Sequence, residues 1–174
     1  MTVGGWQPAR VVDAVEATPS ARLLKLQVPG WPGNDAGQHV DIRLTAEDVT
    51  VDIHCVTKWT KLDTTWRGVP LDTLLDGVAT EATYVTVFCD GGYTTNLPLE
   101  DIQDGKAWIA YEYDGEPLEP AHGGPARLLV PHLYFWKSAK WVRGLTLMGE
   151  DEPGFWEQNG YNMHGDPWTE ERYW

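Results

Sequence analysis

Basic residues are scarce. The chain of 174 residues carries 13 Lys+Arg against 26 Asp+Glu, a formal charge of −13. Duplex nucleic acid and anionic membranes need a broad basic face, so neither is expected as the main partner. Cysteine is nearly absent as well, with only Cys55 and Cys89. Two cysteines make no disulfide framework, and free thiols suit a reducing cytosol. No apolar run approaches the ~20 residues that span a bilayer, and residues 1–20 hold no continuous apolar export signal. These absences predict a cytoplasmic protein without a membrane span. Internal repeats and low-complexity stretches are also missing.

Aromatic residues are plentiful. Ten Trp and a hydrophobic share of 42% exclude a disordered acidic tail. A chain of this length buries about 68–70% of its unfolded surface, enough for one real core. With 18 Gly and 12 Pro spread throughout, the apolar stretches are short, and most read as strands between turns. Alternation predicts strands at 22–28, 39–44 and 49–54, β-branched and aromatic content predicts one at 83–88, and 126–130 and 139–147 read as further strands. Helices are confined to Pro70–Leu75, with Pro near its start and Gly77 at its end, and a turn at Leu97–Ile102. The fold class is α+β, mainly β. The segment Glu150–Trp174 has seven acids, one base and no clear periodicity. It is expected to wrap the surface and dock through Phe155, Trp156, Trp168 and Trp174.

Charge distribution marks the first candidate site. From Pro120 to Gly149 there is no Asp or Glu, yet Arg127, Lys137, Lys140 and Arg143 fall inside. In so acidic a chain, such an island suggests a site for an anion such as a phosphate, although a solvated strand face fits equally well. Lys137-Ser138-Ala139-Lys140 sharpens the point, because small residues let backbone N–H groups approach a phosphate that the lysines neutralise.

Cys55 marks the second. It stands at the end of a predicted strand, with His54, Lys58 and Lys61 nearby, and such cations favour the thiolate that acts as nucleophile or soft-metal ligand. A lone Cys is more often a small buried hydrophobe. No partner stands at zinc spacing, so any metal here would take most of its ligands from a cofactor. Cys89 reads as structural. Gly91 to Asn96 has the composition of a loop bringing Tyr93, Thr94 and an amide to a polar ligand, or of a plain turn. His132 and His164 are polar site groups or hydrogen-bonded surface histidines.

From about Asp48 to the C-terminus the chain resembles the sulfite oxidase-like molybdopterin-binding family. The resemblance rests on Val49-Thr50-Val51-Asp52-Ile53-His54-Cys55-Val56-Thr57-Lys58-Trp59, Asp90-Gly91-Gly92-Tyr93-Thr94-Thr95-Asn96-Leu97-Pro98, Gly123-Gly124-Pro125-Ala126-Arg127-Leu128-Leu129-Val130-Pro131 and His132-Leu133-Tyr134-Phe135-Trp136-Lys137-Ser138-Ala139-Lys140-Trp141-Val142, in the family's order. It implies a sulfite oxidase-type molybdopterin-binding fold and a molybdenum–molybdopterin cofactor with Cys55 as the protein's sulfur ligand. It also implies that Lys137, Ser138 and Lys140, with Arg127 beside them, hold the pterin and its phosphate, and that His54, Tyr93 and Thr94 line the pocket. True sulfite oxidases follow the ligand Cys with an Asn and paired arginines. Val56-Thr57-Lys58-Trp59 looks more like the methionine-sulfoxide reductase side of the family.

Residues from about Gly5 to Glu47, with Trp6-Gln7-Pro8-Ala9-Arg10-Val11-Val12 and residues 29–44, resemble the opening strands of ferredoxin reductase-type flavin domains. The flavin-binding Arg-x-Tyr-Ser segment and a nicotinamide-binding half do not follow, so FAD and NAD(P)H are not expected. The implied organisation is a foreign N-terminal strand segment, 1–47, and a molybdopterin-binding domain, 48–174. The 22–28 and 39–44 strands are expected to fill the place of the family's missing opening part.

The expected activity is transfer of oxygen to or from a small sulfur or nitrogen oxo compound. No haem-attachment Cys-x-x-Cys-His motif exists, so electrons are expected from a separate protein, a flavin reductase being one candidate. The alternatives are a non-catalytic chimera that retains the fold, and a Trp-rich carbohydrate-binding module whose aromatic residues share one exposed plane.

Overall fold

The computed structural model describes residues 9–18, 21–30 and 44–174. The expected strand at 39–44 lies almost wholly outside them. The chain divides into two compact units, Met1–Ile42 and Arg43–Trp174. In the first, β1 (Arg10–Thr18) pairs antiparallel with β2 (Ala21–Gln27).

The second unit holds two sheets. Strands β3 (Glu47–Cys55), β4 (Trp59–Pro70), β7 (Trp108–Tyr113) and β8 (Glu116–Pro117) pair in that order, with β9 (Arg127–Leu129) also on β7. Strands β5 (Tyr84–Cys89), β6 (Thr94–Pro98) and β10 (Val142–Met148) form the other sheet, with β5 at its centre. Among the described residues the α-helices are α1 (Leu71–Leu75) and α2 (Phe155–Gln158), beside three single 3-10 turns. The mainly β expectation holds. Sequence patterning missed β4 and β7, because β4 carries three charged residues, Lys61, Asp63 and Arg67, and a glycine where alternation should be clean. Gly68 is required there: a Cβ would stand 2.8 Å from the Ile109 carbonyl oxygen, where β4 bulges against β7.

Two apolar clusters form the core, and β9 separates them. Successive strand residues point to opposite faces. Leu128 therefore joins Leu71, Val85, Val87, Leu97 and Ile102, whereas Leu129 joins Ile53, Trp66, Trp108 and Ala110. Each such side chain contributes about 1.5–3 kcal/mol by leaving water. Arg127 shares the Leu129 face and is carried into the interior with it, at 3% exposure.

The C-terminal segment does wrap this unit, but not through the expected aromatics. Trp168 and Trp174 are 78% and 77% exposed, and Phe155 and Trp156 are exposed too. Docking falls instead to polar groups. Glu157 is fully buried against Lys137, at 2.7 Å, and Gly154 lies so close to β6 that a Cβ would meet Thr95 Cα at 2.6 Å. An acidic side chain finds a place in the interior only because a buried cation waits there.

Candidate functional site

Cys55 closes β3, and a tight turn follows. The Lys58 N–H donates to the Cys55 carbonyl at 3.0 Å, with Lys58 in the left-handed region at φ 70°. The turn leaves the thiol half-buried, and Cys55 Sγ lies 3.0 Å from Thr57 Oγ1. Next to it, His54 Nδ1 is 2.9 Å from Thr60 Oγ1. The segment after Pro131 lies alongside: Phe135 N–H donates to the His54 carbonyl at 2.8 Å, and Tyr134 bridges His54 in parallel. Cys55 and His54 open on a cavity of about 520 Å³ whose other walls include Lys58, Trp59, Tyr134, Trp168, Glu170 and Arg172.

A second cavity, of about 250 Å³, begins where that segment continues. Tyr93, Arg127, Phe135, Ser138 and Lys140 line it. Its central group is Arg127. Its Nη1 donates to the His122 carbonyl at 3.0 Å and its Nη2 to the Ser138 carbonyl at 2.7 Å. The guanidinium lies 4.3 Å from the Phe135 ring centroid. No carboxylate pairs with it among the described residues. Burial disfavours the charged form and lowers its pKa to about 10, still charged at neutral pH.

The basic island thus splits into two kinds of cation. Arg143 is paired with Asp90 at 2.5 Å, and Lys137 with Glu157. Among the described residues Lys140 and Arg127 bond only to carbonyls, Lys140 Nζ to Ala121 at 2.9 Å. Lys137 Nζ also meets the Met163 carbonyl at 2.6 Å and Asn96 Oδ1 at 3.1 Å. Its ammonium is spent inside the protein and lines neither cavity. Burial lowers its pKa, with Glu157 opposing.

Of the expected site residues, Cys55 and His54 meet in one cavity, and Tyr93, Arg127, Ser138 and Lys140 in the other. Thr94 and Lys137 border neither. Thr94 opens β6, and Thr95 and Asn96 continue it as buried strand residues, so the expected loop ends at Tyr93. Tyr93 Oη donates to the Trp136 carbonyl at 2.6 Å, while burial and Glu157 push its pKa far up. Cys89 is a core residue whose thiol burial pushes up to about 11.

Sequence reasoning missed Tyr134, Trp168, Glu170 and Arg172. The only available signal was Arg172 itself, the one base in the acidic C-terminal segment. That wall is held by a chain of alternating acids and imidazoles. His132 Nε2 lies 3.0 Å from Asp101 Oδ1, His164 Nε2 3.1 Å from Asp101 Oδ2, and His164 Nδ1 2.9 Å from Glu171 Oε2. The Asp101 contact raises the His164 pKa to about 9 against the effect of burial. Burial alone would raise the Asp101 carboxyl, and the two histidines outweigh it and hold it well below the usual range.

The fold defined by these elements is of the sulfite oxidase, molybdopterin-binding type. The sulfane dehydrogenase SoxCD from Paracoccus pantotrophus matches it with a TM-score of 0.57 over 68% of this chain and 35% of that one, at 24% identity. Residues 38–156 match the family described as oxidoreductase molybdopterin binding domain, and the chain belongs to that family. An uncharacterised oxidoreductase, YuiH, of Bacillus subtilis is 52% identical over 124 residues, 70% of this chain and 63% of the relative. A putative protein-methionine-sulfoxide reductase subunit, YedZ1, of Azospira oryzae is 30% identical over 113 residues, 64% of this chain and 43% of the relative. Human mitochondrial sulfite oxidase is 31% identical over 71 residues, 40% and 13%. The chain thus spans less than two thirds of the length of these curated relatives. The family match begins at residue 38, inside the segment 1–47 that the sequence reading expects to be foreign to it.

Proposed function

We propose that this chain is a molybdenum-cofactor oxidoreductase that transfers oxygen to or from a small sulfur or nitrogen oxo compound. The carrying observation is a pair of neighbouring cavities lined by one segment, Tyr134 on the first and Phe135, Trp136, Ser138, Ala139 and Lys140 on the second. The first presents a thiol, the second a buried cation without an acid. A thiolate ligand for a sulfur-bound metal and a cationic seat for the acidic end of its organic carrier are the donor set that a molybdopterin requires. When bound, that group supplies two-electron oxygen-atom transfer.

The chain's own residues then have distinct roles. Cys55 is the protein sulfur ligand, with the Thr57 hydroxyl as hydrogen-bond donor to it, since a metal-bound thiolate has no proton to give. Arg127 and Lys140 hold the cofactor anion, Ser138 lines the same cavity and holds Arg127 through its carbonyl, and Tyr93 and the aromatic side chains enclose the organic part. His54 lines the metal side, held by Thr60. Lys137 positions the segment that carries them. Removing one oxygen from an oxide consumes two electrons and two protons and releases water, so a separate electron-transfer protein is part of this reading. The N-terminal residues 1–47 are read as an incomplete reductase-type strand segment, and the two free thiols fit a cytoplasmic setting.

Expression in a cofactor-competent host tests this directly. Purified protein is expected to hold about one molybdenum per chain, and C55S to lose turnover entirely while keeping its fold. Wild-type protein without molybdenum would remove the enzyme reading and leave the inert chimera.

A further inference from the structure

The reading above leaves the recognition of the substrate's oxygen without an owner, and the inference rests on that reading. We propose that Arg172 is the specificity-determining residue of the Cys55 cavity, its guanidinium donating to the oxygen of a neutral oxide. Arg172 lies 117 positions from Cys55 in sequence, yet its Nη1 donates to the carbonyl of Val56, the residue after the thiol, at 2.5 Å. The guanidinium packs 4.8 Å from the Tyr134 ring centroid and lines the cavity with it.

Two polar atoms of this wall have no partner among the described residues. Arg172 Nε and Tyr134 Oη are both buried and make no hydrogen bond, although Tyr134 is only 2% exposed. Buried donors are almost always satisfied in native proteins, and an orphaned pair on one wall of a cavity marks the place of a ligand acceptor. The neighbouring acid does not use the guanidinium up: Arg172 Nη2 and Glu170 Oε1 are 3.8 Å apart, beyond hydrogen-bond range.

The charges of the cavity decide the class of ligand. Lys58 and Arg172 are matched by Asp52 and Glu170, so the walls offer no net positive field to a dianion. The rim is apolar: Trp59, Leu62 and Trp168 are exposed around the opening. A polar oxygen with apolar substituents fits both features. Sulfoxides and N-oxides share that chemistry.

Calorimetry on the oxidised protein, which holds no electrons with which to reduce a sulfoxide, tests the assignment. The probes are methyl phenyl sulfoxide, methyl phenyl sulfide, which lacks the oxygen, and sulfate. R172Q is expected to weaken sulfoxide binding by about tenfold to a hundredfold, the share of a charge-assisted hydrogen bond, while sulfide binding changes by less than about twofold. R172K should recover part of the sulfoxide loss. Equal losses for sulfoxide and sulfide would show that Arg172 only props the wall, and overturn the proposal. So would unchanged sulfoxide affinity in R172Q, a wild-type preference for sulfate, or wild-type protein that binds neither organic probe. Failure of the enzyme reading shows up separately, in the molybdenum content of the same preparation.

Discussion

The Cys55 cavity and the Arg127 cavity share one segment and differ in how their charge is held. Around Cys55, cations and acids are balanced, the rim is exposed, and one wall comes from the far end of the chain. Around Arg127 the cation is deep, faces aromatic rings and has no acid. A buried guanidinium over Phe135 and Trp66 keeps part of its hydration through carbonyls and ring faces, which neutralises nothing. The difference teaches where an anion belongs: the unpaired cation attracts charge, and the balanced cavity attracts dipoles.

The largest expected effect breaks the support common to both. Lys137 and Glu157 are fully buried, and K137M leaves a buried carboxylate alone, so urea unfolding should show a loss of about 3–5 kcal/mol. The double variant K137M/E157L should recover most of it. If K137M costs nothing, the pair does not hold the C-terminal segment against β6.

Arg127 sharpens the comparison next. R127M removes a cation whose desolvation already opposes the fold, so stability should change by no more than about 1–2 kcal/mol. Molybdenum content per chain should nevertheless fall at least tenfold. A variant that retains its molybdenum would show that the cofactor anion does not sit there.

The smallest effect concerns the wall that carries Arg172. His164 has its pKa raised to about 9, so its contribution to stability is complete below the ordinary histidine value and is lost as pH rises through about 9. His164 is 42% exposed, and solvent screening reduces the effect to about 1 kcal/mol. Comparing urea midpoints at pH 6 and pH 9.5, the wild type should lose more stability than H164N. Equal losses would mean that the Asp101–His164–Glu171 contacts do not hold the segment.

The amino-acid pattern carried a large part of this. Strands with clean alternation or dense β-branched content, such as β3 and β5, were legible from one stretch alone, because period-2 burial is a local property. The Lys137 to Lys140 run and the Cys55 turn were legible for the same reason. β4 was not: its first five residues are exposed on both faces, and only Thr64, Trp66 and Gly68 along it are buried.

What the sequence by itself determined was the mainly β class, the two chemical landmarks and the family likeness they carry. The tertiary structure alone decided which of the four cations stay unpaired, since Lys137 meets an acid twenty positions away while Arg127 and Lys140 meet none among the described residues. It alone brought Arg172 beside Cys55. Partnership between charges depends on distances across the fold, and no local pattern encodes them.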